Sequence, residues 1–323
     1  MSDGDIPVRV KQMRHEADTV LSVTFETLNG APLPKAEPGA HVDLILTDDL
    51  RRSYSLTAAL DGTTAQCTVA VHRDPKSKGG SVYVHDTMRV GDKLRLSRPK
   101  NHFALDQSAG HSVLIAGGIG ITPILAMVRR LTELGKPWHL HYAARKRSAA
   151  AFLPEIEACV AQSNGQGALT PHFDDEVSGA LIDLARIFAG AGDTAHFYCC
   201  GPEPMLAAYE AAGRAVPKAR VHAEYFSAKE EVAREGGFDV VLNRSGKVLH
   251  VDAGKTILDV LIANRVSVPF ACTEGTCGTC ETRVIEGRPD HRDTILTDEE
   301  RAHGDTMMVC CSGSKSARLV LDL

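Results

Sequence analysis

The chain has 323 residues, of which 43% are hydrophobic, and this length accommodates two or three globular domains that each bury a core. Its formal net charge is −5 and it contains no basic tract, which argues against a surface for nucleic acid or anionic membrane. No apolar stretch approaches the roughly 18–20 residues of a membrane span and no signal peptide is evident, so we expect a cytoplasmic protein.

The first hundred residues are predicted to form an antiparallel β-barrel. Short apolar or alternating runs are separated by Gly, Pro and Asp turns, and about six such strands suffice for a barrel. Two polar motifs lie among them, Arg52-Ser-Tyr-Ser-Leu56 and Lys78-Gly-Gly-Ser81. Arginine and hydroxyl groups suit a phosphate, and tyrosine suits the edge of a planar ring. Each motif alone is also typical of an ordinary surface strand.

A strand–turn–helix unit follows the predicted barrel. The apolar run at 111–116 leads into glycines at 117, 118 and 120, and Thr122 is predicted as the N-cap of a helix with Pro123 at its first position. This helix is predicted to end at Gly135. A glycine-rich turn at a helix N-terminus binds pyrophosphate well, although the motif departs from G-x-G-x-x-G and a ligand-free tight turn remains an alternative.

Two later strands extend this unit into a doubly wound parallel sheet. They are predicted at 138–143 and 195–200, and the second ends in Cys200-Gly-Pro202. Open α/β sheets bind ligands at the carboxyl ends of their strands, so Cys200 is predicted to lie beside a nicotinamide ring. The alternative role for Cys200 is that of a small buried side chain.

Four cysteines near the carboxyl end have the spacing of an iron–sulfur site. Cys272, Cys277 and Cys280 form a C-x4-C-x2-C pattern, and Cys310 follows after 29 residues. This spacing is typical of a plant-type [2Fe–2S] cluster. Structural zinc usually pairs two short ligand units, a disulfide framework needs a denser set of cysteines, and a Rieske cluster needs histidine ligands. Cys311 is the alternative fourth ligand, but the length of the gap favours Cys310.

The sequence around these cysteines is typical of a ferredoxin domain. Runs at 238–243 and 247–251 predict a β-hairpin, and Thr256–Asn264 predicts a helix that begins with a near capping box. The charged segment 227–236, which ends in glycine, is predicted to be a linker.

Three sets of motifs in this order resemble the phthalate dioxygenase reductase family, and especially its vanillate O-demethylase branch. The motifs are those at 52–56, at 117–123 together with 200–202, and the four cysteines; the stretch Gly287-Arg-Pro-Asp-His-Arg-Asp293 and the carboxyl-terminal tail add to the similarity. The resemblance covers the chain essentially end to end. It implies an antiparallel β-barrel flavin domain at 1–105, an α/β doubly wound nucleotide domain at 106–226, a linker at 227–236 and a β-grasp [2Fe–2S] ferredoxin domain at 237–323.

The resemblance also implies roles for individual residues. FMN would be held by residues of the barrel motifs and covered by the aromatic ring of Phe226. The residues that would hold it are Arg52, Tyr54, Ser55, Lys78, Gly80 and Ser81. The nicotinamide nucleotide would be positioned by Gly118, Gly120, Thr122, Cys200 and Pro202. The cluster would be held by Cys272, Cys277, Cys280 and Cys310. One departure is that Ser312-Gly313 stands where many relatives have Ser-Arg, so a basic residue is missing near the cluster.

The implied function is that of the reductase component of a Rieske non-haem iron oxygenase or demethylase system. NADH would deliver a hydride to FMN, and single electrons would pass through the cluster to a separate oxygenase. No general acid or base is expected for the hydride step, and a monomer is expected because the docking is transient. The alternatives are a stand-alone NAD(P)H flavin or ferredoxin-type reductase, and a non-enzymatic redox sensor that uses the cysteines as a switch.

The choice between NADH and NADPH depends on the residues after the second strand of the nucleotide domain. Arg145, Lys146 and Arg147 follow that strand, where basic side chains would meet a 2′-phosphate, but they also fit a solvated helix start. NADH is favoured because the nearest family members prefer it and Asp174 is placed to serve a ribose hydroxyl.

Overall fold

The structure is a computed structural model that describes residues 4–47, 50–176, 181–229 and 231–323. Its contacts divide the chain into two compact units, Met1–Glu224 and Tyr225–Leu323. Within the described ranges, no helix combines the length and the apolarity needed to cross a membrane.

The first part of the N-terminal unit is the predicted antiparallel barrel. Its strands are β1 (Ile6–Ala17), β2 (Val20–Thr27), β3 (His41–Ile45), β4 (Arg51–Ser55), β5 (Gln66–His72) and β6 (Lys93–Leu96), and a short helix, α1 (Gly80–Val82), lies between the last two. The sheet order is β4-β3-β6-β1-β2-β5, and a bridge between Leu56 and Val69 joins its two edges. Val8, Val10 and Phe25 are fully buried in its interior.

The second part of the N-terminal unit is a doubly wound parallel sheet. Its strands are β7 (His111–Gly117), β8 (Trp138–Ala144), β9 (Gly167–Phe173), β10 (Ala195–Cys200) and β11 (Val221–Glu224), and its helices are α2 (Ile121–Glu133), α3 (Leu153–Gln162), α4 (Leu184–Gly190) and α5 (Glu203–Ala212). The strand order is β11-β10-β7-β8-β9. Side chains of α2 and α3 share one core with Tyr142, whereas Phe188 of α4 stacks on Phe197 at 4.2 Å. Because residues alternate between the faces of a strand, the sheet is covered on both sides.

The start of helix α2 differs from the prediction. Gly120, not Thr122, is the N-cap, because a 3-10 turn at Gly118–Gly120 brings the chain into helical conformation two residues earlier. Thr122 therefore lies inside the first turn, where its hydroxyl donates to the Ile119 carbonyl at 3.1 Å. The predicted end is confirmed: Gly135 has a φ of +61°, which is the left-handed conformation that closes many helices.

The C-terminal unit has the predicted β-grasp ferredoxin fold. Its elements are β12 (Phe238–Leu242), β13 (Val248–Val251), α6 (Ile257–Ala263), β14 (Glu281–Glu286), β15 (Pro289–Asp290), α7 (Asp298–His303), β16 (Thr306–Met308), β17 (Gly313–Ser314) and β18 (Arg318–Leu321). The main sheet has the order β13-β12-β18-β14-β16, and only the β12–β18 pairing is parallel. The predicted hairpin is β12–β13, and Thr256 and Asp259 form the capping box of α6.

Residues 231–236 of the predicted linker pack against the ferredoxin fold. The Ala233 N–H donates to the Cys311 carbonyl at 2.8 Å, and Ala233 is 4% exposed. Arg234 and Gly254 exchange two hydrogen bonds, of 2.7 and 2.8 Å. Residues 231–236 are thus anchored to the C-terminal unit next to the turn that carries Cys310.

Candidate functional site

The carboxyl ends of β7 and β10 meet at a glycine-lined edge of the parallel sheet. Gly120 lies so close to the Cys200 backbone that a Cβ on this glycine would stand 2.1 Å from the carbonyl oxygen. A Cβ on Gly117 would lie 2.5 Å from Cδ of Pro202, and one on Gly201 would lie 3.1 Å from the Gly117 Cα. Only glycines permit the two strand ends to approach this closely.

The predicted nucleotide residues have different environments at this edge. Gly118 has a φ of +53° and open space where a Cβ would stand, so its backbone remains accessible to a ligand. Pro202 is exposed, while Thr122 is 2% exposed and uses its hydroxyl within its own turn. Gly117 and Gly201 belong to the predicted motifs but were given no role of their own, and Met205 was not predicted; its sulfur would lie 2.9 Å from a Cβ on either glycine.

A buried carboxyl group, Glu224, lies beside Cys200 and Ser55. Glu224 pairs with Cys200 in the β10–β11 register, and its side chain hydrogen-bonds with Ser55. Burial raises the pKa of Glu224 to about 8, and burial followed by the proximity of Glu224 raises the pKa of the Cys200 thiol well above its usual value. At neutral pH this group therefore contains a protonated carboxyl and a neutral thiol. Sequence patterns did not identify Glu224, because its partners come from two distant segments.

The side chain of Glu224 also contains an unpartnered atom. Its Oε2 is buried and has no hydrogen-bond partner within the described ranges. A buried polar atom without a partner is costly, and such atoms commonly face a ligand or water. This atom lies next to the Ser55 hydroxyl, in the predicted flavin motif, and so fits a hydrogen-bonding group of a bound cofactor.

The two barrel motifs contact each other in the structure. The Arg52 guanidinium donates to the Lys78 carbonyl at 2.6 Å and to the Arg51 carbonyl at 2.7 Å. Its aliphatic stem crosses Gly80, where a Cβ would stand 2.4 Å from Arg52 Cγ. The cationic side chain is therefore held over the 78–81 turn by a glycine that leaves it room. An arginine held beside a glycine turn fits the phosphate of FMN.

The remaining flavin candidates lie on β4 and α1, apart from Lys78 and Phe226. Tyr54 is partly buried, and burial raises its pKa to about 12, so its hydroxyl stays protonated. Ser81 is 8% exposed and its Oγ accepts the Asp74 N–H at 3.2 Å, while Lys78 is exposed. Phe226 belongs to the C-terminal unit and is 41% exposed, so its role over the flavin stays a prediction.

The cysteine side chains of the ferredoxin unit are gathered at one point. Hydrogen bonds from the Cys277 and Cys310 side chains, and from backbone N–H groups, hold the pKa of Cys272 well below its usual range. The Glu274 and Thr276 N–H groups each lie 3.4 Å from Cys272 Sγ. N–H groups aimed at a thiolate are the environment that cluster sulfurs require, so these residues fit a [2Fe–2S] cluster. Cys277, Cys280 and Cys310 are each 2% exposed, and Cys272 is more accessible.

The positions of Cys310 and Cys311 distinguish the two fourth-ligand candidates. The Cys310 side chain hydrogen-bonds with Cys272 and with Cys280, which are both predicted ligands. The Cys311 thiol meets only Cys310 among these cysteines, and otherwise lies 3.7 Å from the Met308 carbonyl and 3.8 Å from Ser312 Oγ. This geometry favours Cys310.

The basic residues after β8 are largely engaged by carboxylates. Lys146 lies 2.7 Å from Asp18 and Arg147 lies 3.6 Å from Glu176. The Arg147 guanidinium also covers the Phe173 ring at 4.8 Å. Both ion pairs are exposed and weak, but they compete with a 2′-phosphate for these side chains.

Family comparisons match both units of the chain. The model for the oxidoreductase NAD-binding domain matches residues 114–211, and the model for the 2Fe-2S iron-sulfur cluster binding domain matches residues 240–314. Relatives match over almost the whole chain. Phenoxybenzoate dioxygenase subunit beta from Ectopseudomonas oleovorans is 50% identical over 98% of this chain and 97% of its own. Tetrachlorobenzoquinone reductase from Sphingobium chlorophenolicum is 45% identical over 98% of each chain.

A third relative and two solved structures agree with these matches. Vanillate O-demethylase oxidoreductase from a Pseudomonas species is 40% identical over 98% of this chain and 100% of its own. The structure of a phthalate dioxygenase reductase superposes with a TM-score of 0.73 at 35% identity, over 99% of this chain and 98% of that one. A self-sufficient cytochrome P450 monooxygenase superposes with a TM-score of 0.85 at 38% identity, and this chain spans only 41% of its length.

The barrel, the nucleotide-binding sheet and the cysteine site together define an NAD-dependent oxidoreductase of the flavin and iron–sulfur class. The chain belongs to the phthalate dioxygenase reductase family. Its cofactors are accordingly FMN, NAD(H) and a [2Fe–2S] cluster, as predicted.

Proposed function

We propose that this chain is the NADH-dependent reductase component of a Rieske non-haem iron oxygenase system. One observation carries the proposal: the thiols of four cysteines contact one another, one of them with two N–H donors, in a chain that also contains a glycine-lined nucleotide edge. A hydride carries two electrons and the cluster accepts one, so when bound, FMN supplies the conversion between them. The several relatives named as subunits of dioxygenase or demethylase systems support an oxygenase as the acceptor.

The proposal divides the chain into a flavin domain at 1–105, a nucleotide domain at 106–226, a linker at 227–236 and a ferredoxin domain at 237–323. The barrel strands β1–β6 support the first domain and the parallel strands β7–β11 the second. The two motifs that meet at Arg52 support FMN phosphate binding in the barrel, with Lys78, Gly80 and Ser81 contributing to the phosphate turn.

In the nucleotide site, this chain's own residues orient the ring and exclude water. The contact between Gly120 and the Cys200 carbonyl closes the strand ends, and Gly118 leaves backbone accessible on the open side. Glu224 is protonated near neutral pH because it is buried, so it can donate a hydrogen bond without adding charge beside Cys200 and Ser55. NADH is proposed over NADPH because Lys146 and Arg147 are engaged by Asp18 and Glu176.

The cluster is proposed to pass electrons out through its Cys272 side. Cys272 is the most accessible of the four ligands, and the half-buried loop residues Thr273 and Glu274 follow it. Electron transfer to a docked partner is favoured where a ligand approaches the protein surface. Gly313 stands where many relatives have arginine, and the basic side chains of Arg292 and Lys315 nearby both contact Asp290, at 2.7 and 3.5 Å.

The second candidate function is direct reduction of a small acceptor such as a quinone. The relative named as a tetrachlorobenzoquinone reductase, which is 45% identical over 98% of each chain, specifically favours it. A quinone accepts two electrons and does not need a cluster, whereas an oxygenase that is supplied with single electrons does.

The test compares the purified holoprotein with Cys277→Ser. NADH-dependent reduction of cytochrome c, of a benzoquinone and of candidate Rieske oxygenases from the same organism is measured for both. The oxygenase proposal expects product formation that needs the reductase and is lost in Cys277→Ser, while flavin reduction by NADH persists. Quinone reduction that is undiminished in Cys277→Ser, with no oxygenase supported by the wild-type chain, supports the second candidate instead. A preparation without flavin and iron from iron-replete cells contradicts both.

A further inference from the structure

The stretch Gly287–Asp293, which contributes to the family resemblance but has no role in the sites described above, ends in a buried polar group. The Asp293 side chain is fully buried, and the His291 side chain is 8% exposed. Buried ionisable side chains are rare unless they are paired, so this group has a structural or electrostatic role.

Asp293 packs directly against the loop that carries three of the cluster ligands. Gly275, at the middle of that loop, has a φ of +74°, and a Cβ there would stand 2.9 Å from Asp293 Cα and 2.4 Å from Cys311 Sγ. The Thr294 N–H donates to the Gly275 carbonyl at 3.0 Å. Gly275 therefore lies against both Asp293 and Cys311, so Asp293 packs on the part of the 272–280 loop that meets the turn carrying Cys310.

The carboxylate of Asp293 is only partly satisfied. Its Oδ2 accepts N–H groups from Ile295 at 3.1 Å and Leu296 at 2.8 Å, and it lies 3.7 Å from Arg301 Nη2. Arg301 also donates to the Asp293 backbone carbonyl. Asp293 Oδ1 has no hydrogen-bond partner within the described ranges; the nearest ring nitrogen of His291 is 3.8 Å away, and neither of that ring's nitrogens has a partner there.

This arrangement places a buried carboxylate against the predicted ligand loop and a guanidinium beside that carboxylate. Two N–H donors and the guanidinium surround this carboxylate, and its burial places it in a low-dielectric environment where a charge acts over a longer distance. Burial lowers the pKa of His291, so its imidazole is neutral at pH 7 and leaves the charge of Asp293 uncompensated on that side. Arg301 is 30% exposed and only partly offsets the carboxylate.

We propose that Asp293 is a positioning residue for the iron–sulfur cluster that holds the ligand loop against the Cys310 turn and, opposed by Arg301, sets the cluster's reduction potential. The inference rests on the proposed cysteine ligands. Reduction adds one negative charge to the cluster, so a buried carboxylate beside the loop disfavours the reduced state and a nearby guanidinium favours it. Removing the carboxylate of Asp293 and removing the guanidinium of Arg301 must therefore shift the reduction potential in opposite directions.

The test uses the full-length holoprotein with Asp293→Asn and Arg301→Gln, and with Asp252→Asn as a control. Asp252 is an exposed carboxylate of the same unit, 61% exposed and 3.0 Å from Lys255. The reduced fraction of the cluster is followed by electron paramagnetic resonance and visible absorbance during a potentiometric titration. We expect Asp293→Asn to raise the reduced-to-oxidised ratio at a fixed potential about tenfold, which is about 59 mV for a one-electron couple. Arg301→Gln should lower the ratio, and Asp252→Asn should leave it unchanged.

Opposite shifts for the two variants support the inference, because general loosening of the loop does not produce opposite signs. Equal potentials in all four proteins, or shifts of the same sign, overturn it. If Asp293→Asn does not retain iron, Asp293→Glu keeps the charge and must restore both the iron content and the potential; failure to do so also overturns the inference. A wild-type chain without a cluster contradicts the ligand assignment instead, and the iron and sulfide content of the wild type identifies that case.

Discussion

Gly120 and Cys200 approach so closely that the Cys200 carbonyl occupies the space a side chain on Gly120 would need. A Cβ would stand 2.1 Å from the carbonyl oxygen and 2.4 Å from the carbonyl carbon. The obstructing atoms are backbone, which cannot move aside as a flexible side chain can. The contact joins the N-cap of α2 to the end of β10, and so it determines the shape of the nucleotide edge.

Gly120→Ala is predicted to damage this edge. Overpacking against a fixed backbone costs about 3 kcal/mol, and it separates the strand ends that hold the nucleotide. Thermal unfolding and stopped-flow reduction of the flavin by NADH measure the two effects. Gly192→Ala is the matched control, because Gly192 is exposed, has nothing within 4 Å of a new Cβ and lies in the same sheet unit. Equal behaviour of the two variants would show that the close approach is unimportant.

Glu224 is predicted to make stability depend on pH. Its native pKa is raised to about 8, whereas the unfolded chain has the ordinary value of about 4.5. Between these values the native state binds a proton that the unfolded state does not, so stability falls as pH rises from about 4.5 to about 8 and then levels off. The difference in unfolding free energy between the wild type and Glu224→Gln should fall by up to about 1.4 kcal/mol per pH unit in that window. A difference that is constant from pH 5 to pH 9 would contradict the burial of this carboxyl.

Cys310 and Cys311 are predicted to respond differently to serine. Cys310→Ser should lose the cluster, because its thiol meets Cys272 and Cys280, whereas Cys311→Ser should keep it, because its thiol faces Met308 and Ser312. Iron and sulfide content and the visible spectrum of the two variants measure this directly. Each is the other's control, since the substitutions are identical and adjacent. The reverse result would make Cys311 the ligand.

Arg52→Gln is predicted to weaken FMN binding. The change removes a cation held over the 78–81 turn, and charge-assisted hydrogen bonds to a phosphate contribute about 1.5–3 kcal/mol, or roughly 10- to 100-fold in affinity. The flavin-to-protein ratio after gel filtration and a fluorescence titration with FMN measure the loss. Arg9→Gln removes an exposed arginine from the same barrel and should have no effect. Full flavin retention in Arg52→Gln would move the phosphate site elsewhere.

The sequence alone determined the element types and the cofactors of this protein. Ligand spacing predicted a [2Fe–2S] domain, which the family comparison confirms over residues 240–314, and hydrophobic periodicity predicted the barrel, the parallel sheet and the ferredoxin hairpin, because these signals are local. The predicted N-cap of α2 was wrong by two residues. A 3-10 turn precedes the helix, and the amino-acid composition does not distinguish that turn from the start of the helix.

Only the tertiary structure decided which distant residues meet. Glu224 joins Ser55 and Cys200 because strand register brings β11 beside β10, and Asp293 lies behind Gly275 because the ferredoxin fold turns the chain back on its own ligand loop. Such contacts depend on how strands pair and on what is buried between them, and no local period records either. The same long-range packing determines whether a carboxyl group is charged, which is why the protonated Glu224 and the buried Asp293 could not be identified from their neighbours in sequence.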